Sequence, residues 1–144
     1  MRGVFLLSLC AFLVACINRY QPPLSEEALA KQFTSLPEYS KLYIYRSQGL
    51  AEQVQIPIWV NGEAVARTSA RTFLVLELQP GVHTITSRTK EEDSLTIVTE
   101  PGENYYVWQE MKLGITAVRS ELHEVKPIVG KAQVGRCRLL KGYL

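Results

Sequence analysis

The chain has 144 residues, 47% of them hydrophobic, and its 16 lysines and arginines nearly balance its 14 aspartates and glutamates, for a formal net charge of +2. A chain of this length forms one domain of ordinary size, because it can bury a substantial core. The nearly neutral balance argues against a nucleic-acid-binding protein, which needs a basic face to neutralise phosphates.

The first element is an apolar run over residues 4–17, which carries no charge and follows Arg2. A transmembrane helix needs about 20 apolar residues, so this run is too short to span a bilayer. A positive residue, a short apolar stretch and small residues near its end are the layout of a secretory signal peptide. The alternative is a buried first helix, but a helix that is apolar all round needs a large protein to cover it.

The two cysteines in this run differ in the residues that precede them. Cys10 follows the bulky Leu9, whereas Cys16 follows Ala15 in the sequence LVAC, at the end of the apolar stretch. LVAC resembles the bacterial lipobox, which implies cleavage between Ala15 and Cys16, a diacylglycerol on the Cys16 thiol and an acyl group on the new amino terminus. Two or three acyl chains anchor a protein stably in a membrane. The alternative is ordinary signal cleavage nearby, which would leave Cys16 a plain thiol.

The lipobox interpretation also determines the compartment and the cysteine chemistry. Because Ile17 rather than aspartate follows Cys16, the resemblance implies the periplasmic face of a bacterial outer membrane. Cys10 leaves with the signal peptide, residues 1–15, so acylation of Cys16 leaves Cys137 as the remaining thiol. No intramolecular disulfide is then possible, and Cys137 is either buried as a small apolar residue or paired between chains. We expect burial.

Residues 16–40 are predicted to be a tether that carries a short helix. The sequence SEEALAKQF offers Ser25 as an N-cap and places Glu26 and Glu27 at the positive end of the helix dipole. Pro37 is predicted to stop the helix. The helix is expected either to pack on the domain or to space it from the membrane.

From residue 41 onward the sequence alternates with period two and is rich in β-branched and aromatic residues, which predicts strands. Asn61-Gly62 is typical of a type I′ hairpin, and the Gln-Pro-Gly sequence that ends at Gly81 is typical of a type II turn between two paired strands. A further Pro-Gly pair ends at Gly102. The seven or eight predicted strands lie in KLYIYR, QIPIWV, EAVART, TFLVLEL, VHTITSRT, SLTIVTE, NYYVWQEMK and ITAVRSELHEV.

Short strands at this spacing, with no long helix between them, predict an all-β fold, a single antiparallel β-sandwich over residues 41–144. The segment after Pro127 is ambiguous between a short C-terminal helix and an irregular end. A helix there would have only a weak apolar face, made of Val129, Ala132, Val134 and Cys137.

The order of these segments resembles the bacterial lipoprotein family known as domain of unknown function 2846. The shared pattern is a first strand ending in arginine, a V-N-G hairpin, LQPGVHTI, PGENYYV and a late cysteine, over roughly residues 41–140. The resemblance implies an immunoglobulin-like or prealbumin-like β-sandwich behind a lipobox, in bacterial envelopes. It brings no established activity and no catalytic residues.

Few side chains are suited to catalysis or metal binding. His83, His123 and Cys137 lie far apart in sequence, whereas a metal site needs three or four converging ligands. We therefore expect no metal and no cofactor, and expect His83 to bond the backbone of a neighbouring turn. Asp93, the only aspartate, lies in a charged loop, and the sequence has no nucleophile elbow or Gly-rich phosphate loop. We therefore predict that the protein is not an enzyme.

Aromatic residues give the remaining signal. Tyr43 and Tyr45 point to one face of their strand, as do Tyr106 and Trp108, and these rings line the outside if their neighbours form the core. We treat the four as a tentative binding face, because exposed rings suit sugar stacking or a protein partner. The alternative is that they are ordinary half-buried sandwich residues.

These observations predict a non-catalytic binding or assembly module that is held at a membrane by acyl chains on Cys16. Its partner would be an envelope protein or a glycan rather than nucleic acid. The alternative is a protein that binds peptidoglycan, or an envelope hydrolase that processes glycans.

Overall fold

The computed structural model describes residues 23–141, which form two packed sheets with two short helices on the outside of one sheet. The elements in chain order are α1 (Glu26–Ala30), β1 (Ser40–Arg46), β2 (Ile56–Val60), β3 (Glu63–Thr68), β4 (Thr72–Leu78), β5 (Gly81–Arg88), β6 (Glu92–Thr99), β7 (Asn104–Leu113), β8 (Val118–Val125), α2 (Pro127–Gly135) and β9 (Arg138–Leu139). The predicted all-β sandwich is confirmed.

The larger sheet has five strands in the order β8-β7-β1-β4-β9, and the smaller sheet has four in the order β3-β2-β5-β6. Most neighbouring strands are antiparallel, but β1 with β7 and β4 with β9 are parallel. The larger sheet is therefore mixed rather than purely antiparallel. Parallel neighbours need a long connection, and here the chain between β1 and β7 passes through the other sheet.

The core of the sandwich comes from the inward side of each strand. Leu42 and Ile44 of β1 share one fully buried cluster with Ile58 and Ile85 of the smaller sheet. Burial of each such side chain contributes about 1.5–3 kcal/mol. The buried members of the cluster are Leu42, Ile44, Ile58, Val60, Ala66, Leu74, Ile85, Ile97, Val107 and Leu122.

The opposite side of the five-stranded sheet is also buried, because the helices cover it. Tyr43 and Tyr45 of β1 and Tyr106 of β7 pack with Phe33, which follows α1, and with Val134 of α2. The molecule therefore has three layers, in which β1 is covered on both faces.

The helix α1 begins at the predicted N-cap, where Ser25 Oγ accepts a bond from an N–H of the first turn at 3.2 Å. Two bonds fix this helix to the domain. Tyr43 Oη donates to the carbonyl of Ala30 at 3.1 Å, and the Leu139 N–H donates to the Glu27 carboxylate at 3.1 Å. The segment that starts at Ser25 is thus part of the folded unit.

The sequence predicts the turns correctly but predicts one pair of neighbouring strands wrongly. Asn61 and Gly62 have φ angles of 52° and 81°, and they join the antiparallel strands β2 and β3 as predicted. Gly81 also has a positive φ, of 145°, but β4 and β5 belong to different sheets. The predicted pairing of these two strands is wrong, because β4 pairs with β1 and β9, and the turn carries the chain across the sandwich.

The segment after β8 forms α2, which resolves the predicted ambiguity in favour of a helix. Val134 and the following Cys137 are buried as expected, whereas Val129 and Ala132 are exposed. Gly130 takes the inward position instead, because its missing side chain leaves room for a ring of the sheet below. Within residues 23–141, no helix combines the length and apolar character needed to cross a bilayer.

Candidate functional site

The aromatic residues that the sequence proposes as a binding face lie mostly inside the molecule. Tyr43, Tyr45 and Tyr106 are at most 1% exposed, and burial raises the pKa of each hydroxyl to about 12. The prediction of an exposed strip is therefore wrong for these three, because the helical layer covers that side of the sheet. Trp108 is half-buried, and its ring lies 5.4 Å from that of His123.

The residues of the predicted lipid site, Ala15 and Cys16, lie outside the described residues, as does Cys10. Cys137 is a free thiol that is 2% exposed, so its predicted burial is confirmed. Burial raises the pKa of this thiol to about 11, so it stays protonated at neutral pH. Cys137 therefore behaves as a small apolar core residue.

His83 has the structural role that the sequence predicts. Its Nε2–H donates to the carbonyl of Gln79 at 2.7 Å, and its Nδ1 accepts from the Asn61 side-chain amide at 2.9 Å. The Asn61 Oδ1 atom in turn accepts from the N–H of Thr84 at 3.0 Å. These bonds assign the Nε2–H tautomer and tie the β2–β3 turn to β5.

His123 lies away from His83 and Cys137, within a charged group on the outer side of β7 and β8. His123, Glu110 and Glu121 place their ligand atoms within 4.8 Å of one another. The Lys112 ammonium already lies 2.6 Å from Glu121 and 3.7 Å from Glu110. The bond between Lys112 and Glu121 lowers the pKa of the carboxyl group and raises the pKa of the ammonium. The group is therefore an ion-pair network in which Lys112 occupies the place of a cation.

Asp93 bonds the backbone rather than a histidine. Its Oδ2 accepts from the N–H of Leu122 at 2.6 Å, which links β6 to the outer edge of β8. Bonds of this kind, from a backbone N–H to a charged acceptor, are about twice as strong as neutral ones. The carboxylate thus holds the two sheets together along one side of the sandwich.

A buried polar network, which the sequence alone does not indicate, crosses the core between the sheets. Gln109 of β7 donates to Ser87 of β5 at 2.7 Å and accepts from Thr68 of β3, and Ser87 is bonded to Ser120 of β8 at 2.6 Å. These polar residues alternate correctly within their strands, but nothing in their type distinguishes an inward position from an outward one. The network links four strands and fixes the register of one sheet against the other.

Arg46, at the end of β1, is fully buried. Its guanidinium donates to the carbonyls of Leu50, Ala51 and Val54 at 2.6–2.7 Å, and burial lowers its pKa. The loop between β1 and β2 therefore folds around this side chain. The arginine that ends the first strand is part of the family pattern noted above, and its role here is structural.

The outer face of the four-stranded sheet is an exposed surface with regular geometry. Val82 and Val98 lie directly opposite each other and are 67% and 64% exposed. Two pairs of hydroxyl side chains on β5 and β6 continue this face. Trp59 of β2 lies beside the second pair, because it is the register partner of Thr86. The pairs are Thr84 with Thr96 and Thr86 with Ser94, whose oxygens lie 3.4 and 2.9 Å apart. Sequence alternation identifies these positions as outward but does not show that the face stays uncovered.

The fold and its buried polar groups define a small all-β sandwich with a helical layer on one side. The chain belongs to the family described as "Protein of unknown function (DUF2846)", which matches residues 37–121. The match includes the sandwich from β1 into β8 and ends before α2. The chain is also similar to an uncharacterized protein of Haemophilus influenzae, with 26% identity over 137 residues, which are 93% of this chain and 81% of the relative.

Proposed function

We propose that the protein is a lipid-anchored, non-catalytic binding module of the bacterial envelope, held at the periplasmic face of the outer membrane by acyl chains on Cys16. The LVAC sequence at residues 13–16 supports the anchor, as does its place at the end of an uncharged apolar run that follows Arg2. Acyl chains would fix the domain near one membrane, so that weak contacts gain from a raised local concentration.

The observation that carries the binding role is the outer face of the four-stranded sheet. It exposes the Val82–Val98 pair at one end of the β5–β6 pair, and paired strands hold its side chains in a fixed arrangement. Exposed apolar side chains in an ordered patch, bordered by polar ones, are typical of interaction surfaces. His83 and Asp93 already bond the backbone, which favours binding over catalysis.

One observation favours a glycan as the partner. Trp59 lies beside the hydroxyl pairs of this face, and the Arg88 guanidinium covers its ring at 4.4 Å from the centroid. Arg88 is an exposed side chain, and when it swings aside the Trp59 ring offers the stacking, and the adjoining hydroxyls the hydrogen bonds, that sugars use. The face is also uncharged between the Val82–Val98 pair and Thr86, as suits a partner that is bound through hydroxyl and acetamido groups.

The anchor is tested by replacing Cys16 with serine and comparing the result with Cys10→Ser. Metabolic labelling with a fatty-acid probe should be lost in Cys16→Ser, and the protein should move from the membrane to the soluble fraction. Cys10→Ser should retain both the label and the membrane location. Unchanged labelling of Cys16→Ser would refute the anchor.

The binding face is tested by placing a photo-cross-linking residue at Val98 in cells, with Ile115 as the control. Ile115 is fully exposed in the β7–β8 turn, away from the outer face. Adducts at position 98 that a muramidase digests identify a glycan partner, and adducts that only a protease digests identify a protein. Equal yields at the two positions would contradict the assignment of this face.

A second measurement uses the tryptophan emission of the purified protein. In a Trp108→Phe variant the remaining indole is Trp59, so its fluorescence should respond to soluble peptidoglycan fragments. Trp59→Phe, which keeps Trp108, should not respond. Absence of a response in both variants at millimolar ligand would exclude the glycan and leave the protein partner.

A further inference from the structure

The charged residues of α2 and of the segment that follows it are all positive. Residues 126–141 contain five lysines and arginines and no aspartate or glutamate, and all five basic side chains are exposed. They are Lys126, Lys131, Arg136, Arg138 and Lys141. The chain as a whole has a formal net charge of only +2, so this end of the protein holds a concentrated positive patch.

Apolar side chains are exposed between these cations. Ile128 and Val129 of α2 are 78% and 45% exposed, while Gly130 and Val134 face the sheet. At about 100° per residue, Ile128 lies nearly opposite Gly130 and therefore points away from the domain. Apolar residues flanked by lysine or arginine on an outward helix face are typical of helices that lie at a membrane surface.

The first helix adds to the same surface. Leu24 and Leu29 are 55% and 51% exposed. The two helices belong to one layer, because the Lys131 ammonium lies over the ring of Phe33, which follows α1, at 5.9 Å. The surface formed by α1, α2 and β9 is called the basic face below.

Few carboxylates oppose this charge. Glu27 of α1 is bonded to Lys31 and to the Leu139 N–H, and these bonds lower its pKa. Glu26 is exposed on α1, Glu103 is exposed in a groove that it shares with Lys131, and Glu124 is exposed near the end of β8. Glu52 shares a groove with Arg138, but it is already paired with Arg71. The five cations therefore outnumber the free carboxylates near them.

The first described residues lie next to the same helical layer. The described residues begin at Pro23, two positions before the N-cap of α1 and seven positions after Cys16. Even when fully extended, that connection spans roughly 25 Å at most. A lipid on Cys16 would thus hold the helical layer, and not the opposite sheet, close to the bilayer.

We propose that the basic face docks on the surface of a bilayer that contains anionic phospholipids. The orientation of the domain on the membrane rests on the proposed lipid anchor at Cys16. The attraction of the basic face to anionic lipid does not require the acyl chains. The lipid on Cys16 confines the domain, the cations meet the headgroups, and Ile128 and Val129 enter the interface. The outer face of the four-stranded sheet, on the opposite side of the molecule, then points away from the membrane.

The attraction is tested with purified protein that starts at residue 16, with serine in place of Cys16, so that it carries neither the apolar run of residues 1–15 nor a diacylglycerol. It should sediment with vesicles of phosphatidylcholine and phosphatidylglycerol at low salt, but not with vesicles of phosphatidylcholine alone, and high salt should release it. Equal binding to the two kinds of vesicle would overturn the proposal.

A pair of matched variants locates the attraction. Each basic residue near an anionic surface strengthens binding about fivefold, so Lys126→Gln with Arg136→Gln should weaken it about twenty-five-fold. Removing Lys126 from the start of α2 does not harm the helix, since a cation there opposes the dipole. Arg67→Gln with Lys90→Gln removes the same charge elsewhere and should change binding by less than about twofold. Equal losses in the two pairs would refute a localised basic face.

The orientation is tested in the acylated protein reconstituted into vesicles. A fluorophore on Ile128→Cys should be quenched by lipids that carry a quencher near the headgroup, whereas a fluorophore on Val82→Cys should not. Equal quenching at the two positions would refute docking even if fatty-acid labelling of Cys16 succeeds. Conversely, failure of that labelling would refute the anchor without affecting vesicle binding by Cys16→Ser.

Discussion

Gly130→Ala is the substitution whose effect follows most directly from the packing of the helical layer. A Cβ added at position 130 would lie within 2.5 Å of three atoms of Tyr106, closer than non-bonded carbons approach. Tyr106 cannot move away easily, because it is fully buried and stacked on Tyr43 with ring centroids 5.1 Å apart. The helix must therefore lift from the sheet, or the stacked pair must shift.

The size of the effect is the difference of two terms. Overpacking of this kind costs about 1–3 kcal/mol, whereas replacing glycine by alanine inside a helix returns about 1 kcal/mol. Because Tyr106 is fully buried and cannot move away, the overpacking cost lies in the upper part of this range, at about 2–3 kcal/mol, and we expect Gly130→Ala to lower the free energy of unfolding by about 1–2 kcal/mol. Gly135→Ala, in the same helix, is the control. A Cβ there meets nothing within 4 Å, so this variant should be as stable as the parent or up to about 1 kcal/mol more stable.

Urea unfolding of the two variants in the Cys16→Ser background, followed by circular dichroism, measures both values. Thermal unfolding should show Tm lowered by roughly 3–8 °C in Gly130→Ala. Gly130→Ala combined with Tyr106→Leu should lose less stability than the two single effects added together, because the ring that causes the clash is gone. A Gly130→Ala protein that is more stable than the Gly135→Ala protein would refute the proposed packing of α2 on β7.

The remaining predictions concern the buried polar groups. Arg46→Met should lower the free energy of unfolding by about 3 kcal/mol or more, because it leaves loop carbonyls without a donor. It should also make residues 47–55 sensitive to limited proteolysis, and resistance like that of the parent would contradict the role of Arg46. Asn61→Gly keeps a residue that tolerates positive φ but removes the bonds to His83 and Thr84, so unfolding in urea should show a loss of about 1–2 kcal/mol. For Cys137, burial raises the pKa from 9.0 to about 11, and for Tyr106 from 10.0 to about 12. The folded state therefore keeps protons that the unfolded chain releases, and stability should fall as the pH rises above about 9. Cys137→Ala should delay that fall to higher pH, and a stability that rises between neutral pH and pH 11 would contradict the burial.

The elements that the sequence predicts correctly are those set by local rules. Ser25 caps α1 through its own side chain, and Asn61-Gly62 supplies the two positive φ angles that a tight hairpin needs. Alternation in β1 correctly separates Leu42 and Ile44 from the tyrosines between them. These features depend on residues that are neighbours in the chain, so the sequence contains them directly.

The features that the sequence does not give depend on contacts between distant segments. The tyrosines point outward from the sandwich as predicted, yet they are buried because Phe33 and Val134 come from segments at opposite ends of the described chain. The pairing of β4 with β9 depends on only two residues of the second strand. Period-two alternation cannot show whether a third layer covers one face, and this is why the candidate binding surface moves from the tyrosines to the other sheet.

The bond from Asp93 to the β8 amide also affects how copies of the chain meet. Strand β8 ends the five-stranded sheet, and an outer strand with free N–H groups is a template on which a second chain can add its own strand. By occupying the Leu122 amide and adding a negative charge, Asp93 makes this edge a poor template. The only aspartate in the sequence thereby helps to keep copies of the chain from joining edge to edge.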